Sequence, residues 1–180
     1  DIVITCAMNI GDFGCNNINQ VIQEIANPYA YDKKEIKLKV NLFRENDRVM
    51  QIKNNYNATT EEGEDTVSYN GENGIITKIN GSVVYVKFDN QTLRYEKEDL
   101  EQLQLAYAVN IYKMQGSQCP IVILATPKGH TFMLNKNLLY TGMTRARQRV
   151  YHIGNPATVN VALRKSAKWL EEKKENRNIT

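Results

Sequence analysis

Residues Pro120–Thr126 read PIVILAT, a near-continuous apolar run in a chain of 180 residues. Such a run is typical of a parallel strand buried on both faces of a sheet, because helices pack on both sides of it. The neighbouring segments predict a strand over Gln104–Val109, a helix over Asn135–Ala146 and a strand over Val150–Gly154. We therefore expect an α/β domain with a parallel sheet and flanking helices.

The two ends of the chain continue the alternation of strands and helices. Val3–Cys6 predicts a strand, Cys15–Ala26 a helix, and Pro156–Ala167 a last helix with proline in its first turn. The first helix should bury an apolar stripe made by Ile18, Val21, Ile22 and Ile25. Because a strand pattern starts at once, without an initiator Met, we expect that the chain is cut from a longer protein.

The middle of the chain has a different pattern. A strand is predicted over Asp47–Ile52, and after a polar, acidic stretch three short runs alternate apolar and polar residues. These runs are Ile75–Ile79, Val83–Phe88 and Thr92–Tyr95. They predict a small inserted β-barrel or sandwich over 41–101. The main domain would then comprise 1–40 and 102–168, followed by a charged tail over 169–180.

Charge is distributed unevenly along the sequence. Residues 41–101 carry twelve acids and seven bases, whereas 102–170 contain nine Lys or Arg and no Asp or Glu. A basic segment of this length attracts nucleic acid or nucleotide phosphate, unless acids elsewhere in the protein neutralise it.

Three cysteines without a C-x-x-C pattern and two distant histidines argue against a disulfide framework or a zinc site, so no metal ligands are predicted. We expect reduced thiols in a cytoplasmic protein. The sequence contains no apolar run long enough to span a membrane.

Two segments in order resemble motifs V and VI of the second motor domain of superfamily 1 DNA helicases, closest to the RecD/TraA-like branch. They are LAYAVNIYKMQGSQCPIVIL (Leu105–Leu124) and LLYTGMTRARQRVYHIG (Leu138–Gly154). MNIGDFGCNNINQVIQ (Met8–Gln23) resembles an upstream motif of that branch, and three stretches between 43 and 108 resemble its inserted SH3-like barrel. The resemblance implies a RecA-like sheet interrupted by that barrel.

The resemblance also implies roles for individual residues. Arg145 would be the catalytic arginine finger, which is worth roughly 10³–10⁵ in rate in phosphoryl transfer, although a cation at a helix end also suits the helix dipole without any function. Gly116 and Gln118 would bind nucleotide with Arg145. DNA contacts would come from Lys113, Gln115, Ser117, Thr141, Arg147, Tyr85 and Arg94.

Tyrosines of the barrel, namely Tyr56, Tyr69, Tyr85 and Tyr95, would either stack on bases or fill the small core. Lysines and arginines near them would lie along the DNA backbone. The sequence does not distinguish base stacking from core packing for these tyrosines.

Four positions depart from the family pattern. Tyr112, Met114 and Gln118 stand where the family has His, Ser and Glu, and Ile10 replaces a basic residue. The chain also lacks the G-x-x-x-x-G-K-[ST] phosphate loop. By resemblance, ATP and Mg²⁺ would be bound mainly by the preceding motor domain of the same parent chain.

We therefore expect the C-terminal part of an ATP-dependent DNA helicase or translocase, which by the resemblance moves 5′→3′ on single-stranded DNA and is inactive as an isolated fragment. Other nuclease or helicase subunits are further partners, and no membrane is involved. One alternative is a degenerate, non-catalytic nucleic-acid-binding module, in which the four departures mark lost catalysis. The other is an adaptor within a nuclease–helicase complex.

Overall fold

The computed structural model describes residues 2–38 and 41–165, and the predicted tail lies outside them. The chain divides into two compact units, one formed by residues 1–18 with 108–180 and the other by 19–107. Its helices are α1 (Cys15–Ala26), α2 (Lys136–Met143) and α3, which is helical over 156–165. In chain order its strands are β1 (Ile2–Cys6), β2 (Glu35–Lys37), β3 (Leu42–Arg44), β4 (Arg48–Gln51), β5 (Asn55–Thr60), β6 (Asp65–Ser68), β7 (Asn73–Asn80), β8 (Val83–Lys87), β9 (Thr92–Tyr95), β10 (Leu103–Leu105), β11 (Ala108–Asn110), β12 (Cys119–Thr126) and β13 (Ala146–Gly154).

The first unit contains a four-stranded parallel sheet in the order β11-β1-β12-β13. The PIVILAT run lies in β12, which pairs with β1 on one side and β13 on the other. The predicted parallel sheet is therefore confirmed. Leu124 of β12 packs with Leu138 and Leu139 of α2 and with Ala162 of α3 in one buried cluster. No helix among residues 2–38 and 41–165 is long and apolar enough to cross a membrane.

The second unit is built on an antiparallel sheet of seven strands in the order β10-β4-β7-β8-β9-β5-β6. The alternation predicted for β8 is confirmed, since Val84 and Val86 are buried in the core while Tyr85 between them is only partly covered. Phe43, Ile76 and Leu93 belong to the same core. The fold class is thus an α/β parallel sheet with helices and a separate antiparallel module.

A buried carboxylate joins three segments of the second unit. Asp47 accepts hydrogen bonds from the side chains of Gln23, Asn27 and Tyr107 and from the backbone N–H of Arg44. Burial raises the pKa of Asp47, and the hydrogen bonds from Asn27, Arg44, Gln23 and Tyr107 oppose that rise. Because four donors converge on one carboxylate, the network fixes the end of α1 against the strands of this unit.

The buried face of α1 was predicted correctly for Ile18 and Ile22, which are partly buried against hydrophobic clusters, and wrongly for the other two residues. Its bounds agree with the prediction, but Val21 and Ile25 are 50% and 72% exposed, whereas Asn19 and Gln23 are buried. Asn19 donates to the carbonyl oxygen of Leu105, and Gln23 donates to that of Leu42. Polar side chains occupy the inner face because backbone carbonyls there need donors.

Three strand predictions also need correction. The predicted strand Gln104–Val109 is two strands, β10 in the antiparallel sheet and β11 in the parallel one. The polar, acidic stretch after residue 53, in which no strand was assigned, contains β5 and β6, which bury few side chains, among them Ala58 and Ser68. The last parallel strand, β13, begins at Ala146 rather than Val150.

The prediction of reduced cysteines was also wrong for two of the three. Cys6 at the end of β1 and Cys15 at the start of α1 form a disulfide with Cα atoms 6.3 Å apart, and Cys119 is buried and lies outside this disulfide. The loop between β1 and α1 returns the chain onto itself, which the spacing of the two cysteines in the sequence did not reveal.

Candidate nucleotide and nucleic-acid site

A loop of eight residues follows β11 at the carboxyl edge of the parallel sheet. Asn110 ends the strand, and its side-chain oxygen accepts from the N–H of Tyr112 at 3.0 Å, which caps the short 3-10 helix Ile111–Met114. Ile111 and Met114 are buried and anchor this turn. Gly116 follows with φ 87°, and no atom lies within 4 Å of the position that a Cβ would occupy, so the exposed end of the loop can approach a ligand closely.

Asn110 also links this loop to the loop after β1. Its amide donates to the side-chain oxygen of Asn9 at 3.1 Å and to the carbonyl oxygen of Ala7 at 3.4 Å. The carboxyl ends of adjacent parallel strands are where α/β sheets bind ligands. Sequence reasoning missed Asn110, although an Asn directly before an apolar short helix is a recognisable cap signal.

Arg145 lies in the turn between α2 and β13. Asn135 caps α2 by accepting from the N–H of Leu138 at 2.9 Å, and buried Leu138 and Leu139 fix the helix in the core. The helix ends at Met143, so Arg145 is not part of it, in contrast to the predicted helix over 135–146. The chain enters β13 directly afterwards.

The guanidinium of Arg145 connects the two segments that resemble helicase motifs V and VI. It donates to the carbonyl oxygens of Thr141 at 3.2 Å and Ser117 at 3.4 Å, and to the hydroxyl of Thr144 at 3.3 Å. Arginine has five N–H donors, and these three bonds engage three different nitrogen atoms. All three acceptors are neutral, so the positive charge is oriented but not neutralised by them.

The remaining predicted contacts of this unit have three kinds of surroundings. Ser117 and Thr141 lie next to the Arg145 guanidinium through their backbone oxygens, while the Thr141 hydroxyl donates back to Asn137 within α2. Gln115, Gln118 and Arg147 are exposed. Burial lowers the pKa of Lys113, whose side chain is partly covered.

The predicted residues of the antiparallel module form a row across its outer face. Tyr85 lies opposite Lys78 on one side and Arg94 on the other. The Lys78 ammonium lies 5.5 Å from the centroid of the Tyr85 ring, and Arg94 forms an ion pair with Glu96. An aromatic ring flanked by two cations suits the stacked bases and phosphates of a single strand.

The four barrel tyrosines do not share one environment. Tyr95 fills the core, as one of the two readings allowed, and its hydroxyl donates to Gln51. Burial raises the pKa of Tyr95 above its ordinary value. Tyr56 and Tyr69 are exposed, so base stacking is open to them and to Tyr85 but not to Tyr95.

A parallel α/β sheet with helices and a separate antiparallel module is the arrangement expected from the resemblance to the C-terminal motor domain of superfamily 1 helicases. The family of UvrD-like helicase C-terminal domains matches residues 105–153. The SH3 domain of ATP-dependent RecD-like DNA helicases matches residues 18–92. The chain therefore corresponds to the C-terminal motor domain of RecD-like superfamily 1 helicases, with the SH3 domain of that family.

Curated relatives are similar over most of this chain. The ATP-dependent RecD2 DNA helicase of Deinococcus radiodurans is 30% identical over 155 residues, which are 86% of this chain and 20% of that protein. The RecBCD enzyme subunit RecD of Buchnera aphidicola subsp. Acyrthosiphon pisum is 28% identical over 151 residues, 81% of this chain and 23% of that subunit. The chain thus spans about a fifth of the length of these two relatives.

Solved structures show the same fold. Bacteroides Pif1 bound to ssDNA has a TM-score of 0.64 and 16% identity, covering 99% of this chain and 46% of that one. The Pif1 helicase of Candida albicans has a TM-score of 0.56 and 14% identity, and the match covers 94% of this chain and 49% of that one.

Proposed function

We propose that this chain is the second motor domain of an ATP-dependent DNA helicase or translocase, and that Arg145 is its arginine finger. One observation carries the proposal: the Arg145 guanidinium is held by three neutral oxygens at the edge of the parallel sheet. Negative charge on the γ-phosphoryl group of ATP would meet a fixed positive charge there. A preorganised donor of this kind stabilises the transition state without reorganising during the reaction.

The nucleotide would be shared between this chain and a preceding motor domain. Gly116 and Gln118 lie in the exposed part of the loop that Arg145 contacts, so both are available to the nucleotide. Among residues 2–38 and 41–165 no three His, Cys, Asp or Glu side chains form a group that could hold a metal ion. By the resemblance, Mg²⁺ would be held with the phosphate loop of the preceding motor domain, where it would supply positive charge to the phosphates.

Single-stranded DNA would contact two surfaces, one in each unit. In the first unit, Lys113, Gln115, Ser117, Thr141 and Arg147 would contact the strand. In the second, Tyr85 would stack on a base while Arg94 contacts phosphate. ATP binding would close the cleft between the two motor domains and hydrolysis would reopen it, so that each cycle moves the DNA 5′→3′.

An isolated second motor domain would not hydrolyse ATP, because its sequence has no phosphate loop. The testing experiment is therefore ATP hydrolysis by the purified parent protein, with and without single-stranded DNA. Strong stimulation by DNA is the expected result. Binding of DNA without turnover would contradict the proposal and favour a non-catalytic module, in which the exchanges at Tyr112, Met114, Gln118 and Ile10 have removed catalysis.

A further inference from the structure

The disulfide between Cys6 and Cys15 lies beside the loop after β11 (residues 111–118), which we call the nucleotide loop. Cys6 ends β1 and pairs in register with Asn110, the residue whose side chain caps the nucleotide loop. Both cysteines are buried, and they pack in one cluster with Ala108 of β11. Their Cα atoms are 6.3 Å apart, which is within the range that a disulfide spans. A chemical change at this pair is therefore adjacent to the residue that positions the nucleotide loop.

The disulfide closes the loop between β1 and α1, residues 7–14, which we call the cysteine loop. The tip of this loop is exposed, since Ile10 and Phe13 are 76% and 59% exposed. Because these apolar side chains are not packed into the core, they contribute little to holding the loop in place. The covalent link at its two ends is therefore important for its position.

Hydrogen bonds connect the cysteine loop to the start of α1 and to the nucleotide loop. The N–H of Cys15 donates to the carbonyl oxygen of Met8 at 2.9 Å, and the N–H of Asn16 donates to that of Asn9 at 3.0 Å. The side-chain oxygen of Asn9 accepts from the Asn110 amide at 3.1 Å. A movement of the cysteine loop can thus reach the cap of the nucleotide loop through Asn9.

The surroundings of Cys6 also suit a reduced thiol. Its sulfur lies 3.3 Å from the carbonyl oxygen of Met8, so an S–H group formed there has a hydrogen-bond acceptor. Reduction removes the covalent link but leaves this polar contact available. Since a cross-link stabilises mainly by restricting the open chain, its loss raises the population of the open cysteine loop.

We propose that the Cys6–Cys15 pair is a redox switch for the nucleotide loop. In the oxidised state the cysteine loop holds Asn9 against Asn110 and keeps the nucleotide loop in its capped form. Reduction frees the cysteine loop, weakens that contact and lowers the affinity for nucleotide. The inference rests on the proposed function, because it assigns regulation to the proposed nucleotide site.

A dithiol supplies the two electrons for the reduction. One of its thiolates attacks the sulfur of Cys15, the S–S bond breaks, and Cys6 leaves as a thiolate that takes up a proton. The second thiolate of the dithiol attacks the mixed disulfide, so the dithiol becomes a cyclic disulfide and Cys15 leaves and takes up the second proton. Cys15 is 4% exposed and Cys6 is fully buried, so the attack requires the cysteine loop to open.

Hydrogen exchange and nucleotide binding by the full-length parent test the proposal. One sample is oxidised with glutathione disulfide and the other is reduced with dithiothreitol, and alkylation followed by mass spectrometry reports the state of Cys6 and Cys15. We expect reduction to accelerate exchange of amides 8–14 and 112–118. It should also weaken binding of a fluorescent, non-hydrolysable ATP analogue about fivefold or more, as coupled sites typically do.

Two cysteine variants assign the response to this pair. Cys15→Ser should behave as the reduced protein in either reagent, because no disulfide can form. Cys119→Ser is the matched control, since Cys119 is also buried but lies outside the disulfide, and it should keep the full redox response.

Equal exchange in the oxidised and reduced samples would overturn the proposal, as would a redox response that persists in Cys15→Ser. Cys6 and Cys15 that remain thiols in glutathione disulfide would do the same. Faster exchange without a change in nucleotide affinity would contradict the regulatory role. The exchange measurement needs neither ATP nor DNA, so it tests the switch separately, whereas absence of nucleotide binding in both redox states would contradict the proposed function.

Discussion

The Arg145 guanidinium donates a hydrogen bond to the carbonyl oxygen of Ser117 at 3.4 Å, although the two residues are 28 positions apart in the chain. A backbone bond strengthens this link, because the N–H of Cys119 donates to the carbonyl oxygen of Arg145 at 2.9 Å. The arginine is thus positioned by the loop that follows β11. A change in that loop should alter the position of Arg145 without touching the side chain itself.

Replacing Arg145 by Ala in the parent protein should reduce ATP turnover on the order of 10³-fold, because the finger charge is lost from the transition state. DNA binding should persist. Steady-state ATPase assays with saturating single-stranded DNA measure the first effect, and fluorescence anisotropy measures the second. Arg145→Lys should not rescue turnover, since an ammonium does not reproduce the planar fork.

Lys128→Ala is the matched control for Arg145. It removes one positive charge from the same unit at an exposed position outside the proposed site. Turnover in this variant should stay close to that of the unchanged protein. Equal losses in both variants would mean that net charge, rather than the oriented guanidinium, supports hydrolysis.

Asn110→Ala should destabilise the loop after β11 by about 1 kcal/mol, the usual cost of a lost cap. The variant loses both the bond from the Tyr112 N–H and the bond to Asn9. Hydrogen exchange of amides 112–118 should accelerate. Asn110→Asp keeps the acceptor for the Tyr112 N–H but loses the donor to Asn9. If hydrogen exchange at Tyr112 is unchanged in that variant, the acceleration in Asn110→Ala results from loss of the cap.

The sequence predicted those parts of the fold whose signal is local. The bounds of helix α1 were placed correctly because its helical apolar spacing lies within the segment itself. Its inner face was predicted only in part, because Asn19 is buried by a bond to Leu105, a residue 86 positions away. Strands β5 and β6 were missed for the related reason that their partners, not their own side chains, stabilise them.

The candidate site likewise depends on partners that the local sequence does not reveal. Arg145 was identified from its motif, but the acceptors that orient it are mostly backbone carbonyls, which no residue type reveals. The sequence left two roles open for Tyr85 and Tyr95, and the structure distinguishes them: Tyr85 is only partly covered, whereas Tyr95 is buried on the same side of β9 as Leu93.

Tyr85→Ala in the parent should weaken binding of single-stranded DNA by about 1–3 kcal/mol if its ring stacks on a base. The loss should depend little on salt. Arg94→Ala should instead lower the slope of log K against log salt by about 0.7, the value for one phosphate contact to a single strand. Titrations at several salt concentrations separate the two effects.

Tyr31→Ala provides the control for Tyr85, because Tyr31 belongs to the same unit and its side chain is 98% exposed. It should leave DNA affinity unchanged. If both tyrosine variants bind DNA equally well, the outer face of β8 and β9 does not contact the strand.

Gly14→Ala should destabilise the chain by about 1–3 kcal/mol, as overpacking does. A Cβ atom at Gly14 would lie 2.6 Å from backbone atoms of Asn9 and Ile10, which cannot move aside as a side-chain end can. Gly129→Ala is the matched control, since a Cβ there has no neighbour within 4 Å. Denaturant unfolding of both variants should show a loss only at position 14, and equal stability would disprove the close approach.

His130 should make the stability of the chain depend on pH. Its side chain is buried, its Nδ1 has no hydrogen-bond partner among the described residues, and burial lowers its pKa below the ordinary 6.5. The unfolded chain therefore binds a proton more readily than the folded one, so stability is present above pH 6.5 and is lost as the pH falls below it. For one proton the slope reaches at most about 1.4 kcal/mol per pH unit. Unfolding free energies at pH 7.5, 6.5 and 5.5 should fall less steeply in His130→Leu, and an unchanged slope in this variant would show that another group titrates.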